Sequence, residues 1–177
     1  MKPLSYTSLT VGLIAALGAA PLAAQLGFHI GAGVTMPSSD YGNYAKTGWM
    51  GIGGVTFSLG PAPIKIQVDA LYGINDHEED PNAPGAKTAV YGGMGNAVYN
   101  IGAGPIKPYV LGGVGYLSHA YSDDSGDFND TKWKFAWNIG GGVNFGLGGL
   151  TVFAEARYLD RDRTAFIPIF AGLRFGS

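Results

Sequence analysis

From residue 26 onward the chain is a series of short segments in which apolar residues recur at every second position, joined by connections that alternate between tight and long. No other feature constrains it so strongly. A period of two places alternate side chains on opposite faces of an extended strand. No apolar run in this region approaches the roughly 18 residues that a membrane-crossing helix needs. The pattern predicts eight strands: Leu26–Met36, Thr47–Leu59, Ile64–Ile74, Lys87–Ile101, Ile106–His119, Lys132–Phe145, Leu150–Leu159 and Ala165–Phe175.

Three connections are tight and rich in Gly or Pro: Gly60-Pro61-Ala62-Pro63, Gly102-Ala103-Gly104-Pro105 and Gly146-Leu147-Gly148-Gly149. The four that alternate with them are mostly longer and polar: Pro37–Lys46, Asn75–Ala86, Ala120–Thr131 and the shorter Asp160–Thr164. Up-and-down hairpins with every long loop at one end produce that alternation. An ordinary sandwich has no reason to sort its loops so.

The sixth strand alternates most clearly, with Trp133, Phe135, Trp137, Ile139, Val143 and Phe145 against Lys132, Lys134, Asn138 and Asn144. The second fits worse, because Met50 and Ile52 share a parity with Thr56 and Ser58, and a bulge near Gly53-Gly54 is expected there. Alternation does not say which face meets the solvent. The aromatics decide it. On the apolar parity, Phe28, Phe57, Tyr99, Phe145 and Phe175 lie near the short turns or termini, and Trp49, Tyr72, Tyr91, Tyr116, Trp133 and Tyr158 lie near the long loops. Aliphatic residues, Ala and Gly fill the interval. Two aromatic rings around an aliphatic waist are what a bilayer selects. Only 14% of the residues are charged, against about a quarter in a soluble domain. Hydrocarbon supplies no hydrogen-bond partner for a strand edge, so the sheet must close. The fold class expected is all-β, an eight-stranded antiparallel up-and-down transmembrane barrel. The 30 glycines suit a narrow, curved sheet.

Residues 1–24 read as a cleavable signal peptide, with Lys2, an apolar core from Leu9 to Ala20, and cleavage after Ala24; residues 25–177 form the barrel domain. A membrane-anchoring helix is the lesser reading, since the run is short and Pro21 ends it. The absence of cysteine removes disulfides, thiolate metal sites and a lipoprotein anchor. A formal charge of -2 gives no footprint for nucleic acid.

With these features the chain resembles the small outer-membrane barrel superfamily of the OmpA transmembrane domain, the OmpX/Ail group and the opacity-type proteins. The resemblance covers about residues 26 to 175 and rests on the leader, the eight-strand layout and the last strand, Phe166-Ile167-Pro168-Ile169-Phe170-Ala171-Gly172-Leu173-Arg174-Phe175. It implies that Phe175 is the terminal aromatic read by the barrel-assembly machinery, although Gly176 and Ser177 follow it. It also implies contact with outer-membrane lipid and lipopolysaccharide.

Lys65, Asp69, Lys107, Glu155, Arg157 and Arg174 are expected to face the interior as an ion-pair network, with Glu155 meeting Arg157 or Arg174. Eight strands enclose a space that side chains can fill, and a buried charge must be paired. The competing reading is a narrow channel. A lipid A-modifying enzyme is less favoured, because Ser118 and His119 are adjacent and alternation turns them to opposite faces. The acidic segments Asp76-His77-Glu78-Glu79-Asp80 and Asp123–Asp130 lack the spacing of a calcium loop and read as solvated extracellular loops; Asp160-Arg161-Asp162-Arg163 reads as a simple turn. The expectation is a non-enzymatic barrel without cofactor or metal, serving envelope structure or surface interaction, with any extracellular ligand held by the long loops.

Overall fold

A computed structural model describes residues 26–38, 46–59, 62–76, 87–102, 104–122, 129–162 and 164–176. The expected leader and most of the two acidic loop segments lie outside these residues. Eight strands follow in order: β1 Leu26–Ser38, β2 Gly48–Ser58, β3 Ile64–Asp76, β4 Lys87–Asn100, β5 Ile106–Ser122, β6 Asn129–Leu147, β7 Leu150–Arg161 and β8 Thr164–Phe175. Each pairs antiparallel with its neighbours in sequence, and β1 pairs with β8, closing the barrel.

The stagger of the sheet can be counted from its pairs. Starting at Phe28 and stepping through Val55, Val68, Gly95, Val114, Trp137, Asp160 and Ala165 brings the path back to β1 at Ser38, ten residues above its start. With about 3.3 Å per residue and about 4.8 Å between strands, this stagger tilts the strands by about 40°. A barrel so sheared has a radius near 8 Å at the backbone, which leaves room for side chains and little else.

The two faces divide as hydrocarbon requires. At mid-height on the outside, Ile30 is 62% exposed and Ile139 59%, whereas Glu155 and Arg157 in the lumen are 2% and 1% exposed. The outer face is oily, and the ionic residues of this belt point in.

Three local expectations differ from what is found. The register of β2 runs unbroken against β1 and β3, with no bulge at Gly53-Gly54. Met50 and Ile52 instead point inward, buried, because an apolar layer fills the lumen there, with Leu71, Met94, Leu117, Leu159, Phe166 and Phe170. Nearer the long connections polar groups return, where Asn75 donates to Thr35 at 2.8 Å and Arg161 to the Leu117 carbonyl at 2.9 Å. The register shift falls instead between β5 and β6, at His119 and Tyr121. The last connection at the long-loop end is as tight as any, since Arg161 pairs directly with Thr164. Pairing of β7 with β8 lapses between Ala156 and Leu159, opposite Pro168, which has no N–H to give.

Candidate functional site

The lumen is layered. Below the apolar plug lies a knot of buried charge assembled from six strands. Its centre is Asp69 on β3, whose side chain is wholly buried. Arg157 Nη1 from β7 lies 2.8 Å from Asp69 Oδ2, and His29 Nε2 from β1 lies 2.8 Å from Oδ1. Asn96 Nδ2 donates to Oδ2 at 2.8 Å, and Gln67 Nε2 to Oδ1 at 3.0 Å. Arg157 Nε donates at 2.6 Å to Glu155 Oε1, whose other oxygen accepts from Tyr109 Oη at 2.7 Å. Arg174 on β8 closes the lower side. It donates to Gln67 Oε1 at 2.9 Å and Tyr109 Oη at 3.0 Å, and lies 3.4 Å from Glu155 Oε2. Its guanidinium is held between the rings of Phe153 and Tyr109, 4.5 Å and 5.1 Å from their centroids.

The sheet makes room for these groups with inward-facing glycines. A Cβ at Gly54 would stand 2.9 Å from the His29 ring, one at Gly140 would stand 3.0 Å from Arg157 Cγ, and one at Gly142 would stand 2.6 Å from the Tyr109 hydroxyl. Outward-facing Gly53, Gly93 and Gly95 are different: a Cβ there meets nothing nearer than 3.5 Å.

Of the six charged residues expected inside, Asp69, Glu155, Arg157 and Arg174 come together, and Glu155 meets both arginines. Lys65 and Lys107 do not reach the two carboxylates. They line the mouth at the short-turn end. His29, Gln67, Tyr109 and Asn96 were not expected in this cluster, nor was Asn138 of β6, which backs it by donating to Asn96 Oδ1 at 2.8 Å. Parity carried that information: Gln67 lies between Lys65 and Asp69 on one face of β3, and Tyr109 lies two residues beyond Lys107.

Eight of the eleven aromatics expected in two rings (Phe28, Trp49, Tyr72, Tyr99, Tyr116, Trp133, Phe145 and Phe175) are exposed on the outer face, and Phe57, Tyr91 and Tyr158 are half-buried there. Phe135 and Trp137 also face out and were not among those expected. Trp137 packs on Tyr158 at 5.6 Å and Phe135 on Tyr116 at 6.1 Å. The stagger lifts β6 relative to β3, so its share of the upper ring falls at Phe135 and Trp137, below Trp133.

Ser118 and His119 lie on opposite faces. Ser118 pairs with Tyr91 and Trp133 on the outside, and His119 turns inward against Phe166, with ring centroids 6.4 Å apart. Among the described residues, no group of three His, Asp or Glu is placed to hold a metal ion.

A closed, eight-stranded, oily-outside barrel with ions sealed in its lumen is a transmembrane β-barrel. The sequence matches the family model for the outer membrane protein β-barrel domain over residues 9–175, and the chain belongs to that family, whose place is the outer membrane. No curated protein sequence matches it significantly. Among solved structures it is similar to Neisserial surface protein A, with 15% identity and a TM-score of 0.68 over 86% of this chain and 97% of that one. It is also similar to the N-terminal β-barrel domain of Pseudomonas aeruginosa OprF, at 14% identity and a TM-score of 0.51 over 84% and 96%. Ail, the attachment invasion locus protein of Yersinia pestis, aligns at 16% identity and a TM-score of 0.50 over 86% and 99%. At such identities the likeness is one of fold.

Proposed function

We propose that this protein is a non-enzymatic outer-membrane anchor whose extracellular connections do its work in envelope structure or surface interaction. The observation that carries the reading is the filled lumen. Two side-chain layers, the charge knot around Asp69 and the apolar plug of Met50, Leu117 and Phe166, lie in series along the axis. A barrel stoppered twice has no path for a solute, so its interactive parts are its rims. Separation of Ser118 from His119 by the sheet itself argues against acyl hydrolysis, since a nucleophile needs its base within hydrogen-bond reach. In this reading residues 1–24 are an export leader removed in the periplasm, the barrel-assembly machinery reads Phe175, and lipid and lipopolysaccharide surround the aromatic rings. An extracellular ligand meets the long acidic connections. Attachment, for which Ail is named, is the kind of role such a surface serves.

Planar-bilayer recording tests it. The purified barrel is expected to leave the current flat across ±100 mV, as an order-of-magnitude driving range. Stepwise conductance that disappears on changing Lys65 or Arg157 would instead identify a channel and overturn the anchor reading.

A further inference from the structure

The end of the barrel opposite the acidic connections has a chemistry that an anchor does not need. A cavity of about 370 Å³ opens there, inside the short-turn rim, within the usual size range of small-ligand sites. Lys65 from β3, Lys107 from β5 and Arg174 from β8 line it, together with Asn100, Asn144 and Thr151. Among the described residues that line it there is no carboxylate. We propose that this vestibule binds a phosphate-bearing anion.

Three observations carry the proposal. The first is charge partition. Among the described residues, only Asp69 and Glu155 are carboxylates buried in the lumen. The other acidic residues fall at Asp40, from Asp76 to Asp80, from Asp123 to Asp130, and at Asp160 and Asp162, in or beside the connections at the far end. By sequence those segments also carry Lys46, Lys87, Lys132, Lys134, Arg161 and Arg163, a balance of -5 (6 basic minus 11 acidic), whereas the short-turn mouth carries Lys65, Lys107 and Arg174. A concave mouth with low-dielectric walls focuses such a field. The second is arrangement. The three cations come from separate strands around the circumference, so they converge on one space as a tripod, which suits a tetrahedral oxyanion. Arg174 is already fixed by Gln67, Tyr109, the Phe153 ring and Glu155, 3.4 Å away, so its ordering is complete before a ligand arrives and Lys65 and Lys107 supply most of the positive charge of the mouth. The third is unmet hydrogen bonding. Arg174 Nε and the side-chain oxygen position of Asn144 are buried in the wall with no partner among the described residues. The Asn144 amide presents an N–H donor in that place when turned over. Buried polar groups left so are rare in native proteins, and a small turn of either side chain toward the cavity lets an oxyanion accept from it.

The phosphate could belong to a soluble ion or to the headgroup of an anionic phospholipid in the adjoining leaflet. The test uses the folded barrel in nanodiscs of zwitterionic phosphatidylcholine, titrated with pyrophosphate and followed by ³¹P NMR and calorimetry. Saturable binding is expected, weakened about tenfold by Lys65→Gln or Lys107→Gln and abolished by the pair. Lys107→Arg, which keeps the charge, is expected to bind as the parent does. A heat-modifiable gel shift checks that each variant is folded. A second arm replaces part of the lipid with phosphatidylglycerol. Loss of pyrophosphate binding there assigns the site to the lipid headgroup, and unchanged binding assigns it to the free anion; both support the proposal. Absence of saturable binding in phosphatidylcholine nanodiscs, or equal binding by the double variant, overturns it.

Discussion

Replacing Arg157 with methionine is the sharpest probe of the lumen. The side chain is fully buried, with Nη1 2.8 Å from Asp69 Oδ2 and Nε 2.6 Å from Glu155 Oε1, and its guanidinium carbon is 5.8 Å from the centre of the Phe170 ring. Methionine keeps much of the volume and the contact with Phe170 but leaves two buried carboxylates without the cation between them. Removing one partner of a buried ion pair costs about 3–5 kcal/mol, or roughly two to three and a half powers of ten in the folding equilibrium. With a urea dependence near 2 kcal/mol per molar, the unfolding midpoint of the barrel in phosphatidylcholine vesicles is expected to fall by about 1.5–2.5 M. Tryptophan fluorescence and the heat-modifiable gel shift measure it. Adding Asp69→Asn to Arg157→Met is expected to recover at least half of the loss, because Glu155 keeps Tyr109 and Arg174 while the new amide carries no charge. A midpoint within about 0.3 M of the parent for Arg157→Met would mean that bulk water solvates these carboxylates. The lumen would then be neither dry nor dependent on pairing.

The glycines and the terminal aromatic give two further outcomes. Gly142→Ala drives a methyl against the Tyr109 hydroxyl at 2.6 Å and should destabilise the barrel by about 1–3 kcal/mol, whereas Gly53→Ala, with 3.7 Å to its nearest neighbour, should change stability by less than about 0.5 kcal/mol; paired urea titrations compare them. Phe175→Ser should lower the amount of folded protein in outer-membrane fractions severalfold while the purified chain still folds in detergent, and equal amounts in the membrane would remove the assembly role from this residue.

The architecture was legible in the sequence because hydrocarbon leaves a chain few options. Period-two patterning, the sorting of connections and the placement of aromatics each follow from the solvent outside the barrel. The interior follows from geometry that the sequence carries only implicitly. Met50 and Ile52 looked like a break in the second strand because the lumen was assumed polar throughout, when one of its layers is apolar. Trp137 and Phe135 were passed over because the ring was placed by counting from strand ends, and the ten-residue stagger raises β6 relative to β3. His29 is one unremarkable residue between Phe28 and Ile30; only the pairing of β1 with β2 and the space above Gly54 bring it to Asp69. Charges that meet across adjacent strands, as Glu155 and Arg174 do, could be guessed. Arg157 and Asp69 reach each other across the lumen from non-adjacent strands, β7 and β3, and nothing in the linear order joins them.

The seam between β1 and β8 has a consequence for how this molecule comes into being. Residues 26–38 and 164–176 lie at opposite ends of the folded portion, yet Phe28 pairs with Phe175 and Ser38 with Ala165. Until the final dozen residues dock, both flanks of an otherwise complete curtain of strands keep a row of unmet amides, which oil cannot satisfy. Insertion and ring closure are thus bound to one late event, joining contacts as distant along the chain as any it makes, and such joining is slow. A chain that loses its last strand has no partly working form inside the bilayer; it remains outside, for proteases to find.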